Sequence, residues 1–221
     1  MLRRILVTFD IDGTLLLADP KRTVQLNSIL HAYKKFFGHS IKGDSTFMDN
    51  FQFMYHGITD SASFQSLFIR KNYPFKQKDV QQILHHYDEY FIKQNLGPII
   101  ELPGVRKCIK TLNKMENVYV AIASGSTEKT AIFKLKSIDL YKEINPFCGG
   151  FGDKNTLRQN CILAAKTLTE NRIKAKIDNV IHIGDTPGDV MSAVFAHTTP
   201  IAVETGQYHK KDFPHFSTII P

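Results

Sequence analysis

Apolar residues recur along the chain with two different spacings, which divide it into regions. Ile5–Phe9 is a short apolar run that stops at Asp10, a pattern typical of a buried strand in a parallel sheet. From residue 18 to residue 97 the apolar positions follow helical spacing, and no run in this stretch favours a strand. The dipeptide Gly97-Pro98 then predicts a loop.

Beyond Leu102-Pro103-Gly104 the chain alternates between strand and helix patterns. Apolar runs predict strands over 118–123, 179–183 and 200–203, with a further short strand expected at 146–148. Helical spacing predicts helices over 105–115, 128–140, 157–168 and 190–196. Such alternation indicates a parallel sheet with helices on both faces.

The predicted fold is therefore an α/β protein with two parts. Residues 1–17 and 98–221 form a doubly wound, Rossmann-like parallel core, and residues 18–97 form a helical module inserted after the first strand. Aromatic residues are frequent in the inserted part, which favours a small hydrophobic core of its own.

Polar side chains follow three of the predicted strands, at the point where each strand ends. Asp10 follows the first strand, Ser124 the second and Asp185 a later one. Ligands of such sheets bind beyond the carboxyl ends of the strands, so we expect these side chains to meet there.

Asp10 and Asp12 are two residues apart and point to the same side of an extended backbone. One carboxylate can then act as a nucleophile while the other gives and takes a proton. Gly13 allows a tight turn beside them. A calcium loop is excluded, because no further oxygen ligands follow at the required spacing.

Two more carboxylates lie four residues apart in the segment Gly184-Asp185-Thr186-Pro187-Gly188-Asp189. Oxygen ligands of this kind suit Mg²⁺. The alternative for Asp189 is a capping role at the start of a helix.

A phosphate group would need donors and a cation at the same edge. Ser124 and the backbone of Gly125 precede a predicted helix and are suited to holding phosphate oxygens. Lys154 and Arg158 are the candidate cations, and a surface position is the alternative for each.

The overall charge narrows the class of partner. The formal net charge is +7, which favours anionic ligands such as phosphorylated metabolites. The lysines and arginines are scattered and form no run of five, so no nucleic-acid partner is expected.

The three cysteines form no CxxC motif and are expected to be reduced. No apolar stretch has the length of a membrane span or signal peptide, so we expect no membrane partner and a cytoplasmic location.

Together these motifs resemble the haloacid dehalogenase superfamily. Asp10-Ile11-Asp12-Gly13-Thr14 is similar to its first motif, Ser124 to its second and the Gly184–Asp189 segment to its fourth. The segment from Gly149 to Arg158 is similar to the third motif of a subgroup that uses arginine, so the resemblance favours Arg158 over Lys154. The helical insert resembles the α-helical cap of the phosphoglycolate-phosphatase-like and beta-phosphoglucomutase-like branch.

The resemblance implies a magnesium-dependent phosphatase acting on small phosphate monoesters through an aspartyl-phosphate on Asp10. Mg²⁺ would be held by Asp10, the backbone carbonyl of Asp12 and Asp185, with support from Asp189. Substrate selection would lie in the cap, with candidate contacts at Asn50, His56 and Thr59. A helix cap is the favoured alternative for Thr59.

Two other functions stay open. The first is a phosphomutase of the same superfamily, which returns the phosphoryl group to a bound sugar. The second is a non-catalytic phosphate-binding protein, which the four retained aspartates disfavour. We expect a monomer or a homodimer.

Overall fold

A five-stranded parallel sheet forms the centre of the protein. The computed structural model describes residues 3–18, 23–41, 57–144, 148–215 and 217–220. Its strands are β1 (Ile5–Phe9), β2 (Leu16–Leu17), β3 (Ile100–Glu101), β4 (Val118–Ile122), β5 (Asn179–Gly184), β6 (Thr199–Val203) and β7 (Thr218–Ile220). The large sheet has the order β4-β1-β5-β6-β7, so β1 lies between two neighbours and is buried on both sides.

Seven α-helices lie in the described part of the chain. They are α1 (Thr23–Phe37), α2 (Asp60–Arg70), α3 (Gln77–Phe91), α4 (Val105–Leu112), α5 (Glu128–Ser137), α6 (Arg158–Ile173) and α7 (Pro187–Phe195). Several begin at hydroxyl side chains that satisfy free backbone N–H groups. Thr127 accepts from the N–H of Thr130 at the start of α5, and Thr186 forms a capping box with Asp189 at the start of α7.

Alternate side chains of β1 enter two different hydrophobic clusters. Val7 and Phe9 pack with residues of α4 and α5 such as Ile109 and Leu135. Leu6 packs on the opposite face, with residues of α6 and α7 such as Ile162. The sheet therefore carries helices on both faces, and the predicted doubly wound α/β fold is confirmed.

The helices α1, α2 and α3 form the inserted cap, with a cluster of buried aromatic and aliphatic side chains of its own. Tyr33, Phe64 and Phe68 are each about 1% exposed or less. Helical spacing thus correctly predicted a helical module inserted after β1.

A two-stranded antiparallel ribbon connects the cap to the core, with Leu16 paired to Glu101 and Leu17 to Ile100. The sequence did not predict this ribbon, because two residues are too few to produce an alternating pattern. The predicted domain boundaries, at residues 17 and 98, lie beside it.

Two further differences concern short strands. The strand expected at 146–148 lies partly outside the described residues, and Cys148 is not in a strand. Instead, Gly150 forms an isolated parallel bridge with Ala123 at the edge of the sheet. β7 was not predicted, because the C-terminal residues show no clear period.

No described helix is a candidate membrane span. None combines the length and the apolar character that crossing a membrane requires.

Candidate active site

A cavity of about 300 Å³ opens at the carboxyl ends of the strands, between the sheet and the cap. From the core it is lined by Asp10, Asp12, Ser124, Gly125, Arg158 and Asp185. From the cap it is lined by residues that include Gln25, Asp60 and Phe91. The strand ends therefore meet as expected, and the volume suits a small ligand.

Asp10 lies at the bottom of this cavity, directly after β1. Its side chain is almost completely buried, and its Oδ2 contacts Nη2 of Arg158 at 2.9 Å. Its Oδ1 has no hydrogen-bond partner among the described residues. Burial raises the pKa of Asp10, although the charge of Arg158 opposes this. A buried carboxylate oxygen without a partner is costly, which marks this position as a site for a ligand or a metal.

Arg158 and Asp189 form a buried ion pair behind Asp10. Oδ1 of Asp189 accepts hydrogen bonds from Nε of Arg158 at 2.8 Å and from Nη2. The same oxygen lies 3.3 Å from Nε2 of His182, and Oδ2 accepts from Thr186. Burial alone would raise the pKa of Asp189, but Arg158 and His182 hold it well below its usual range. Both oxygens of Asp189 are thus occupied by protein donors.

Asp185 projects into the cavity from the end of β5. Its Oδ1 accepts from Oγ1 of Thr14 at 3.2 Å. Burial, with the charges of Asp189 and Asp10, raises the pKa of Asp185 to about 8. Gly13, at φ +78°, and Gly206 pack directly against this carboxylate, and a Cβ at either position would collide with it. Two glycines are therefore required to let the backbone enclose Asp185.

Asp10, Asp185 and Asp189 each offer a carboxylate oxygen within 4.8 Å of the others. The residues fit a divalent cation, because Asp10 has an unpartnered oxygen, and because burial and the neighbouring carboxylates raise the pKa of Asp185. Asp10 and Asp185 are the better donors, since the oxygens of Asp189 are already taken. Asp189 instead accepts hydrogen bonds from Arg158, and its supporting role at a metal site stays a prediction.

Asp12 lies at the wall of the cavity and is more exposed than Asp10. Its Oδ2 is 2.5 Å from Nζ of Lys134 on α5 and 3.5 Å from Oγ of Ser126. Lys134 is itself 8% exposed. The sequence did not single out Lys134, although Ala131 and Leu135 on the buried side of the same helix placed it at a core-facing position.

Ser124 and Gly125 line the same cavity as Asp10 and follow the end of β4 by two and three residues. Ser124 is 2% exposed, and its Oγ accepts from the N–H of Ser126 at 3.3 Å. A Cβ on Gly125 would contact the carbonyl oxygen of Ile58 at 2.5 Å and Nη1 of Arg158 at 2.8 Å. Because Gly125 has no side chain, both the backbone of Ile58 and the guanidinium group of Arg158 can lie close to it.

Other predicted site residues lie elsewhere. Lys154 is not among the residues that line the cavity, is largely exposed and pairs with Glu128 at 2.5 Å, whereas Arg158 lines the cavity and contacts Asp10. Thr59 is fully buried and caps α2 by accepting from the N–H of Ala62, as the helix-cap alternative predicts. Asn50 and His56 lie outside the described residues.

The cap contacts the core through the start of α5. The backbone N–H of Thr127 donates to Oδ2 of Asp60 at 2.9 Å, and its hydroxyl donates to Oδ1 of Asp88. Burial raises the pKa of Asp60 to about 7 and that of Asp88 to about 6. The sequence could not reveal this contact, because Asp60 and its partner Thr127 are 67 residues apart.

Comparison with known families and structures agrees with this geometry. The family described as "Hydrolase: haloacid dehalogenase-like hydrolase" matches residues 6–197. No curated protein matches the chain.

Solved structures with the same fold are distant in sequence. A hydrolase from Pseudomonas syringae has a TM-score of 0.64 at 21% identity, over 99% of this chain and 93% of its own. A predicted phosphoglycolate phosphatase from Haemophilus somnus has a TM-score of 0.58 at 15% identity, over 93% and 88%. A protein assigned as a beta-phosphoglucomutase from Bacteroides vulgatus has a TM-score of 0.62 at 17% identity, over 95% and 79%. Similarity at this identity establishes the fold alone.

Proposed function

The chain belongs to the haloacid dehalogenase-like hydrolase family, and from this premise we propose that it is a magnesium-dependent phosphatase of small phosphate monoesters. Asp10 is the proposed nucleophile and Asp12 the proposed acid and base. The observation that carries the proposal is the state of Asp10. It is a buried carboxylate with one unpartnered oxygen, and it faces a cavity that also holds a second carboxylate and an arginine.

In the first half of the reaction a carboxylate oxygen of Asp10 attacks phosphorus. The bond from phosphorus to the alcohol oxygen breaks, and its electron pair leaves with that oxygen. Asp12 supplies the proton that the departing oxygen takes up. Arg158 and Ser124 stabilise the charge that develops on the phosphoryl oxygens.

In the second half the aspartyl-phosphate is hydrolysed. Asp12 accepts a proton from a water molecule, which attacks phosphorus and releases Asp10 and inorganic phosphate. Mg²⁺, when held by Asp10, Asp185 and the Asp12 carbonyl, supplies neutralisation of the phosphoryl charge. The docked cap restricts the access of bulk water to these groups.

The substrate is a small phosphorylated metabolite. A cavity of about 300 Å³ leaves room for a phosphoryl group and a short alcohol. A cytoplasmic location, the absence of a nucleic-acid partner and a monomeric or homodimeric state stay predictions from the sequence.

The test is phosphate release from a panel of alkyl, sugar and aryl phosphates, with Mg²⁺ and with a chelator. We expect turnover by the wild type only with Mg²⁺, and none by Asp10→Asn. Asp178→Asn is the matched control, because Asp178 lies at the opposite end of β5 and accepts from the N–H of Arg4. Folded, metal-loaded wild type without turnover on any ester would contradict the proposal.

The same panel separates hydrolysis from mutase activity. A phosphatase releases one phosphate for each sugar phosphate consumed. An isomerised sugar phosphate without phosphate release would instead assign the chain to the mutases.

A further inference from the structure

Lys134 is a buried cation that the proposed chemistry does not use. It lies on α5 of the core, and its side chain is 10% exposed. Lysine is almost never buried to this degree unless its charge is paired. The other two lysines of the same helix, Lys129 and Lys136, are exposed. The position of Lys134 therefore needs a specific explanation.

The ammonium group of Lys134 contacts the core on one side and the cap on the other. Nζ lies 2.5 Å from Oδ2 of Asp12. It also lies 5.4 Å from the centre of the Phe91 ring, which belongs to cap helix α3. Phe91 in turn packs edge-on against Phe133 of α5, with ring centres 6.3 Å apart. The Lys134 side chain is thus enclosed between Asp12 and a cap residue.

This enclosure restricts Asp12. The Asp12 side chain is 41% exposed, and an exposed carboxylate ordinarily samples several rotamers. While Phe91 covers Lys134, its ammonium group stays in contact with Asp12, and its charge also stabilises the nearby carboxylate of Asp60. Once Asp12 has given its proton to the leaving alcohol it is a carboxylate, and the ion pair with Lys134 then fixes its position. That is the form needed to take a proton from water.

We propose that Lys134 is a positioning residue that holds Asp12 as the base for hydrolysis of the aspartyl-phosphate, and that cap residue Phe91 holds Lys134 in place. The inference rests on the proposed function and extends it, because it makes hydrolysis of the aspartyl-phosphate depend on a cap that is docked on the core. Water gives one proton to Asp12 as its oxygen bonds to phosphorus, and the bond from phosphorus to Asp10 breaks. Lys134 takes no part in the bond changes.

The experiment separates the two halves by steady-state kinetics on an aryl phosphate. A good leaving group needs no acid, so kcat/KM reports phosphorylation of Asp10, while kcat includes hydrolysis of the intermediate. Lys134→Met keeps the apolar stem and removes the charge. We expect kcat to fall about 10- to 100-fold, part of what general base catalysis contributes, with kcat/KM within about threefold of wild type.

The matched control is Lys129→Met. Lys129 lies on the same helix and pairs with cap residue Glu89 at 3.5 Å, but the contacts described for it do not include Asp12. This variant removes a charge between cap and core and should leave both parameters unchanged. Phe91→Leu preserves an apolar contact and removes the ring, and it should lower kcat in the same direction but less. It also tests the proposal if Lys134→Met does not fold.

The outcomes separate this inference from the proposed function. A parallel fall of kcat and kcat/KM in Lys134→Met would indicate a merely structural lysine and overturn the inference, as would unchanged kcat. Either result leaves the phosphatase intact as long as the wild type turns over and Asp10→Asn does not. Turnover by Asp10→Asn would instead remove the proposed function itself.

Discussion

Asp60 of the cap accepts a hydrogen bond from the backbone N–H of Thr127 of the core, at 2.9 Å. The carboxylate is 7% exposed, so a charged group lies inside the junction between the two parts of the molecule. Its principal support is this N–H together with the nearby charge of Lys134. When the cap closes over the site, the carboxyl group of Asp60 must therefore be desolvated.

The first prediction concerns the pH dependence of stability. Burial raises the pKa of Asp60 from its ordinary value of 3.8 to about 7. The folded state therefore binds this proton more tightly than the unfolded state, and the resulting stability is present below about pH 4 and is lost as pH rises through 7. Asp60→Asn should remove this pH-dependent loss of stability, which for the full pKa shift of Asp60 is on the order of 4 kcal/mol in the free energy of unfolding. Thermal unfolding of both proteins from pH 4 to pH 8 measures it.

Asp139→Asn is the control for this measurement. Asp139 is exposed, and its φ of +51° is a conformation that asparagine adopts readily. Its unfolding temperature should follow that of the wild type at every pH. If the unfolding temperature of Asp60→Asn changes with pH in the same way as that of the wild type, the proton affinity of Asp60 does not change on folding.

The second prediction concerns the covalent intermediate. Asp12→Asn removes the base but leaves Asp10 and Arg158 in place, so an aryl phosphate should still phosphorylate Asp10. We expect a rapid release of about one equivalent of aryl alcohol, followed by turnover slowed by roughly 100-fold or more. Stopped-flow absorbance and the mass of the intact protein measure the two features.

Asp10→Asn under the same conditions should give neither the rapid release nor the added phosphoryl group. Slow turnover of Asp12→Asn without a rapid phase would mean that the first half-reaction is limiting. Asp12 would then be needed as an acid even for good leaving groups.

The position of the site was predictable because parallel strands carry their end residues to one edge. Asp10, Ser124 and Asp185 each follow an apolar run, and the structure brings all three to one cavity. Local patterns were sufficient here, since both the strands and the direction of the sheet are encoded in short segments.

Contacts between residues far apart in the sequence were not predictable in this way. Lys134 and Asp12 are 122 residues apart, and neither flanking segment shows that they meet. The sequence did show that Lys134 lies on the core-facing side of α5, because it shares the helical spacing of Ala131 and Leu135. Its partner depends on how α5 packs beside the loop after β1, which hydrophobic spacing within one segment does not encode.

The third prediction concerns the metal. Ligands that bind only the folded state raise its unfolding temperature. Mg²⁺ should therefore stabilise the wild type, and Asp185→Asn should lose most of this effect because one of two available carboxylates is removed. Differential scanning fluorimetry across a range of Mg²⁺ concentrations measures the shift. Equal stabilisation of both proteins would show that Mg²⁺ binds elsewhere.

The fourth prediction distinguishes the two candidate phosphate-binding cations. Arg158 pairs with both Asp10 and Asp189 in a buried setting, so Arg158→Met leaves two buried carboxylates without their cation. Loss of one partner of such a pair costs about 3–5 kcal/mol of stability. Lys154→Met removes an exposed pair with Glu128 and should change stability by less than about 1 kcal/mol.

Arg158→Lys tests phosphate binding in a protein that keeps the charge. Lysine lacks the planar set of N–H donors of the guanidinium, whose Nε and Nη2 both donate to Oδ1 of Asp189, so contact with Asp189 and with the phosphoryl group cannot both be kept. We expect inorganic phosphate to inhibit Arg158→Lys at least about tenfold more weakly than wild type, while Lys154→Met is inhibited like wild type. The reverse order would move the phosphate-binding cation to Lys154. It would also require the segment before α6 to rearrange when substrate binds, since Lys154 does not line the cavity and pairs with Glu128.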